Sequence, residues 1–361
     1  MSKYKHTGQN RVFLLAQADK VPENRANYDI LLDSLELQTI SDDFQIVCDF
    51  KLINIILGLQ TCASRYSCAF CLSCKVDLEG KITNRTGTYQ KAEMRTWEHI
   101  GDQNEIWLEE TGGDRSQLKN YYNCELKPIP IKSGKGSEPV MKTFPPDPLH
   151  CNLLGPFIDA LDKMEFYWKE QMEEFYKRHA LKKSGQGAGG KFNGKDIRLI
   201  FKDSSLEELS VMLPVEAEPF LNYLKTIREL HFAVISKEFN YSRCEKAVFD
   251  FEINFWHLHA NMSLPMTLKV HVIIDHYMWY FDNMGKNFHE TNGEYVEAVH
   301  YSLDGHEEKH KYKVTRNIGT DGHLRKAIQS HTSFNSKRVG SPNRIMSIKK
   351  KSPNSPLARV N

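Results

Sequence analysis

The sequence predicts an α/β amino-terminal part that leads into a large, mainly α-helical body. Two observations carry this reading. β-forming runs are confined to the first 75 residues, and helical spacing of apolar residues dominates from Pro148 onward. The composition agrees with a globular chain: 40% apolar, 26% charged and 11% aromatic over 361 residues, enough to bury a substantial core.

Arg11 to Ala18 (RVFLLAQA) reads as a buried strand, and Pro22 breaks the chain after it. Tyr28, Leu31, Leu32 and Leu35 have helical spacing. Phe44 to Phe50 alternates and is rich in β-formers, which predicts a strand ending near Asp49. Lys51 to Leu59 follows as a short buried helix, and Ser67 to Lys75 as a cysteine-dense turn. These elements make up a first segment, 1–76. Residues 77–147 are polar, hold Gly112-Gly113, Pro128, Pro130, Gly134 and Gly136, and read as a long connection with one short helix.

The helical body spans 148–281. Leu149, Leu153, Leu154, Phe157, Ile158, Leu161, Met164 and Trp168 follow one helical stripe. Lys182 to Gly190 is a flexible break. Ser204 and Ser205 ahead of Glu207 and Glu208 predict a capping box, opening a helix that ends at Pro214. Val248, Phe251, Phe255, Leu258 and Met262 form the cleanest amphipathic helix. Asp282 to Phe288 breaks the pattern again, and 282–335 carries a helix beginning near Thr291. The last segment, 336–361, is basic, proline-interrupted and without an acidic residue, and reads as a disordered tail.

Net charge is only +2, so a nucleic-acid partner does not follow from the total. The tail, with Lys337, Arg338, Arg344, Lys349, Lys350, Lys351 and Arg359, has the composition of a nuclear-targeting or phosphate-contacting run. The amino terminus lacks an apolar signal region, and no apolar stretch reaches membrane-spanning length. The expectation is a nuclear (or cytoplasmic) protein, neither secreted nor embedded in a membrane. Its eight cysteines then read as thiols and metal ligands rather than disulfides.

Four features have chemical content. Asp49, at a predicted strand end, is placed to project into a cleft and bind a divalent cation, or else to cap the helix after it. Cys68-x2-Cys71-x2-Cys74 offers two thiolates to one tetrahedral zinc, and spacing does not separate the 68/71 pair from 71/74. His271-x4-His276 supplies two imidazoles within the spacing range of zinc-binding histidines. On a straight helix their directions differ by about 140°, which implies that the helix bends or ends between them. Glu294-x2-Glu297-x2-His300 places two carboxylates and an imidazole on one helical stripe, where a solvated charged face is the plainer reading.

Taken in order, Asp49, Cys68-x2-Cys71, His271-x4-His276 and Glu297 resemble the catalytic core of the Transib transposases and the related V(D)J recombinase. Three further segments are similar to that family: Asp147-Pro148-Leu149-His150-Cys151-Asn152, the stretch from Gly189 to Leu199, and Asn335-Ser336-Lys337. The likeness spans roughly residues 10 to 340.

The resemblance implies a partial RNase H-like sheet with a zinc-braced helical insertion. It implies Asp49 and Glu297 as the second and third catalytic acids, holding Mg²⁺ or Mn²⁺ for two-metal DNA cleavage and strand transfer. It also implies Cys68, Cys71, His271 and His276 as ligands of a structural Zn²⁺, with DNA as partner and a homodimer as the assembly. The family's first catalytic aspartate lies on a strand upstream of Arg11–Ala18. The residues before that strand contain no acid, and Asp42 and Asp43 are badly placed to replace it. The expectation is therefore a truncated core, inactive alone, with a non-catalytic zinc-stabilised module for nucleic acid or protein as the alternative. Lys182, Lys183, Lys191, Lys195, Arg198 and the tail are the expected phosphate contacts.

Overall fold

The computed structural model describes residues 24–34, 45–60, 64–74, 92–131, 136–181, 183, 192 and 194–292. The chain divides into two units, Met1–Thr39 with Gly293–Asn361, and Ile40–Asn292. In the first, α1 (Arg25–Ser34) covers most of the expected helix, and Asn24 Oδ1 accepts from Asn27 N at 3.0 Å in its first turn.

The second unit is helical. Asp49 caps α2 (Phe50–Leu57), accepting from Leu52 N, and Ile53, Ile56 and Leu57 are buried. Gly58 ends the helix in the left-handed region, at φ 71°, with the backbone of Leu126 packed against it. Thr96 caps α3 (Trp97–Thr111), whose buried face is Trp97, Ile100, Asn104 and Trp107. A π-helical turn, Leu149–Phe157, runs into α4 (Ile158–Tyr167), followed by α5 (Lys169–Arg178), α6 (Gly194–Ile200) and α7 (Asp203–Met212).

The centre is built by α8 (Glu218–Val234) and α9 (Tyr241–Met262), which pack along each other. Their shared layer includes Tyr223, whose ring lies 5.4 Å from Phe251 and 6.4 Å from Phe255. The predicted stripe on α9 is buried at Val248, Phe251, Phe255 and Leu258. Finally α10 (Leu268–Met284), capped by Thr267, lies against α9 and the π-helical turn. Tyr277, Tyr280 and Phe281 on α10 enclose Phe288 after the chain turns at Gly285.

The α/β expectation is corrected: among the described residues there is no strand and no RNase H-like sheet. Extended pairing is limited to isolated bridges, Leu59 with Cys124, Cys71 with Met94 and Thr96 with Pro139. The segment read as the Phe44–Phe50 strand is irregular over 45–49. It makes one ladder-like contact, Ile46 N donating to Thr143 O at 2.8 Å, and Gln45 Nε2 donates to Lys142 O. Alternating side chains favour an extended segment, but a strand also needs a neighbour, and a 3₁₀ turn (Val140–Lys142) stands there instead. The Arg11–Ala18 reading lies outside the described residues.

Two local readings also change. The expected capping box does not form: α7 begins at Asp203 without a side-chain cap, and Ser205 Oγ donates back to Leu199 O. The stripe expected as one helix from Leu149 to Trp168 breaks at Leu154 and Gly155, where the backbone leaves helical geometry ahead of Pro156. The nitrogen of Lys269 donates to the freed carbonyl of Leu154. Among the described residues no helix is long and apolar enough to cross a membrane.

Among the described glycines Gly58 is the least tolerant of a side chain. A Cβ there would lie 2.2 Å from Leu126 O, on backbone that also donates to Gly58 O. Gly58→Ala is expected to destabilise the chain by about 1–3 kcal/mol from the left-handed backbone alone, and further from the displaced carbonyl. A chemical denaturation midpoint equal to wild type would contradict this.

Candidate metal centre

The cysteine-dense turn is shaped by its own backbone. Phe70 N donates to Cys68 Sγ and Ser73 N to Cys71 Sγ, each at 3.4 Å, so both sulfurs are held on one side of the turn. Phe70 O accepts from Arg95 N and Glu93 O accepts from Leu72 N, which pins the turn against the segment leading into α3. Phe70 itself packs edge-on against Phe50 of α2 and His276 of α10.

The two histidines meet this turn from α10. Cys71 Sγ lies 3.2 Å from His271 Nε2, and Cys68 Sγ lies 3.3 Å from His276 Nε2. The four ligand atoms all fall within 4.8 Å of one another, and all four residues are buried. The expectation of a bent or interrupted helix is corrected, because α10 runs continuously through both positions. The imidazoles reach a common point from the two flanks of the helix, with centroids 4.9 Å apart and planes at 85°.

The alternative left open by spacing is thereby separated. Cys74 stands apart from the cluster, and its sulfur accepts from Arg65 Nε at 3.1 Å. All described cysteines are free thiols, as expected.

Two buried residues complete the surroundings, and neither was singled out by sequence. Asp275 Oδ2 lies 2.6 Å from His271 Nδ1, so a carboxylate backs the ring nitrogen opposite the cluster. This is the usual arrangement behind a metal-bound imidazole, fixing its tautomer and orientation. The one-turn spacing of His271 and Asp275 was the available signal. Arg95, fully buried, directs Nε to both Cys68 O and Cys71 O at 3.0 Å, and Nη2 to Tyr122 O. A single basic residue in a polar stretch carries no such signal.

The protonation pattern follows from these contacts. Burial works to lower the pKa of His271, but Asp275 and Cys71 outweigh it and push it up to about 10. Burial resists ionisation of Cys71, yet Cys68 and the two imidazoles hold its thiol well below the ordinary value. Burial and the neighbouring Cys71 hold Cys68 well above it. Of the two thiols Cys71 is therefore the more acidic, and a cation binding at these four atoms would compete with protons for them.

The expected catalytic acids fare differently. Asp49 is exposed, and its Oδ1 accepts from Leu52 N at 2.8 Å, the capping role weighed against function. Glu297, with Glu294 and His300, lies outside the described residues, so Asp49 is the one expected triad member whose surroundings are seen. Of the expected phosphate contacts, Lys183 is instead engaged by Asp162 and Glu165, at 2.8 and 2.7 Å. Lys182, Lys191 and the basic tail are outside the described residues.

Near Asp49 lies a pair that chemical reasoning passed over. Asp147 is buried, its Oδ1 accepts from Leu149 N, and its Oδ2 lies 2.5 Å from His150 Nδ1. The hydrogen bond to Asp147 raises the pKa of the half-buried His150 against the opposing effects of burial and Lys269, with a smaller contribution from Asp49. An imidazolium favoured in the folded state stabilises fully below the ordinary histidine pKa, and that contribution is lost as pH rises through the raised value. Asp147→Asn is expected to lower the pKa of His150 in an NMR titration; an unmoved value would rule out this pairing. No family model and no curated protein matches the chain.

Proposed function

We propose that this chain is a zinc-clamped helical module, descended from Transib-type transposases, in which the metal holds structure and the chain does not itself transfer DNA strands. The observation that carries the reading is the closed set of Cys68, Cys71, His271 and His276, buried and within reach of one ion. Two thiolates and two imidazoles suit Zn²⁺ in chemistry and number. Four protein ligands leave no position for water or substrate, which is the condition of a structural rather than a catalytic zinc.

Descent is supported by the order and spacing of the motifs. The ligand set that the resemblance implies is also the set whose atoms cluster. Asp49 caps α2 through Oδ1, which leaves only its Oδ2 for a cation. Two-metal phosphodiester chemistry needs several carboxylate oxygens aimed at shared cations, and the oxygens of nearby Asp147 are committed to Leu149 N and His150. DNA as a partner rests on the resemblance and on the basic tail.

The full chain is expected to carry one zinc per molecule by elemental analysis, lost in His271→Ala. Chelation should unfold the helical body cooperatively in circular dichroism. A chain purified free of zinc, unable to take it up and equally stable without it, would sink the clamp. With Mg²⁺ or Mn²⁺, supercoiled plasmid is expected to stay intact; nicking abolished by Asp49→Ala would show that the chain is an enzyme after all.

A further inference from the structure

The two imidazoles of the metal centre are held differently. Behind His271 a carboxylate oxygen of Asp275 lies 2.6 Å from Nδ1. His276 is also buried, but among the described residues its Nδ1 finds no hydrogen-bond partner. A metal-bound imidazole is ordinarily oriented through the nitrogen that faces away from the metal. Without that support, the ring is held by what packs against it.

What packs against it is Phe70. The two ring centroids are 5.7 Å apart with planes at 82°, an edge-to-face contact. Among the described residues the other ring against His276 is that of His271, itself a ligand. Phe70 stands between the two thiol ligands in Cys68-Ala69-Phe70-Cys71 and is fully buried. Its backbone is fixed on both sides: its N donates to Cys68 Sγ at 3.4 Å, and its O accepts from Arg95 N at 2.8 Å. Its ring is also backed by Phe50 of α2, at 5.9 Å and 62°. Cys68 is the sulfur that faces His276, 3.3 Å from Nε2. One residue thus touches both members of that pair, the sulfur through its amide and the imidazole through its ring.

We propose that Phe70 is the positioning residue for His276, orienting by ring packing the imidazole that no hydrogen bond orients behind Nδ1, and that it sets zinc affinity through His276. The inference rests on the structural-zinc reading and deepens it. Phe70 offers the ion no ligand atom, so its effect is indirect.

The test is a double-mutant cycle on the full chain, read by chelator competition for Zn²⁺. F70L keeps an apolar side chain and loses the flat ring edge. It is expected to weaken zinc binding by about 10-fold, the lower end of the range for residues behind metal ligands. H276C puts a thiolate in place of the imidazole and keeps four protein ligands. In that background F70L is expected to have no further effect, because the ring that Phe70 positions is gone. Equal losses in both backgrounds, or no loss in either, overturn the proposal and leave Phe70 a packing role. If H276C takes up no zinc, ¹⁵N NMR of the histidine rings in zinc-loaded F70L decides. Altered His276 signals with His271 unchanged support the positioning role; an unchanged His276, or both rings altered alike, overturns it. If F70L does not fold, F70M is read the same way. A wild-type chain that binds no zinc overturns the clamp itself. A wild-type chain that binds zinc, with F70L losses equal in both backgrounds, overturns the positioning role alone.

Discussion

The second unit depends on one long-range attachment, the contact of the Cys68–Cys71 turn with α10 across 200 residues of chain. Closing a loop of that length costs about 5 kcal/mol in chain entropy, comparable to the whole stability of many domains. Buried apolar contacts between α10 and α9 share that cost. A structural zinc contributes about 10–16 kcal/mol, enough to outweigh it severalfold. With the proposed zinc bound, the clamp would be the term that decides whether the cysteine turn stays docked, and with it the backbone that Arg95 N and Phe70 O tie to the start of α3.

The same attachment governs the electrostatics of the interior. Contacts within the cluster favour ionisation of Cys71 and protonation of His271, and oppose ionisation of Cys68. His276 Nδ1 is buried without a hydrogen-bond partner among the described residues. A cation held by Cys68, Cys71, His271 and His276 would take the place of the protons on these atoms. Metal binding and burial of polar groups are thus one process here, and acid opposes it because protons compete for the same atoms.

How much of this was legible in the sequence depended on distance along the chain. Cys68-x2-Cys71 and His271-x4-His276 are local patterns, each weak alone, and their order and spacing together carried the reading. The choice of Cys68 over Cys74 required knowing where Arg65 would stand. The stripe on α9 was plain because four large apolar residues fill it. The extent of α3 was hidden because its buried face includes Asn104, whose Nδ2 donates to Glu125 O. A polar residue in an apolar stripe breaks the periodic signal while satisfying the structure. The sheet reading failed for the opposite reason: alternation over Phe44–Phe50 is a local property, and a ladder partner is not.

Asp49 shows how a residue read as part of one element can stand in another. It was selected as the end of a strand aimed into a cleft, yet it ends an irregular segment and begins α2. At the amino terminus of a helix a carboxylate is favoured by the free backbone N–H groups and by the helix dipole. Capping engages Oδ1 alone, so the cap by itself does not bar Oδ2 from a cation. What limits the site is the company it keeps. Electrostatic influence on His150 comes from both Asp49 and Asp147, and Asp147, nearly sealed from solvent, has spent its oxygens on the π-helical turn and the imidazole. A second cation-facing carboxylate is the missing ingredient among the described residues, and one exposed oxygen competing with water for Mg²⁺ is a weak ligand.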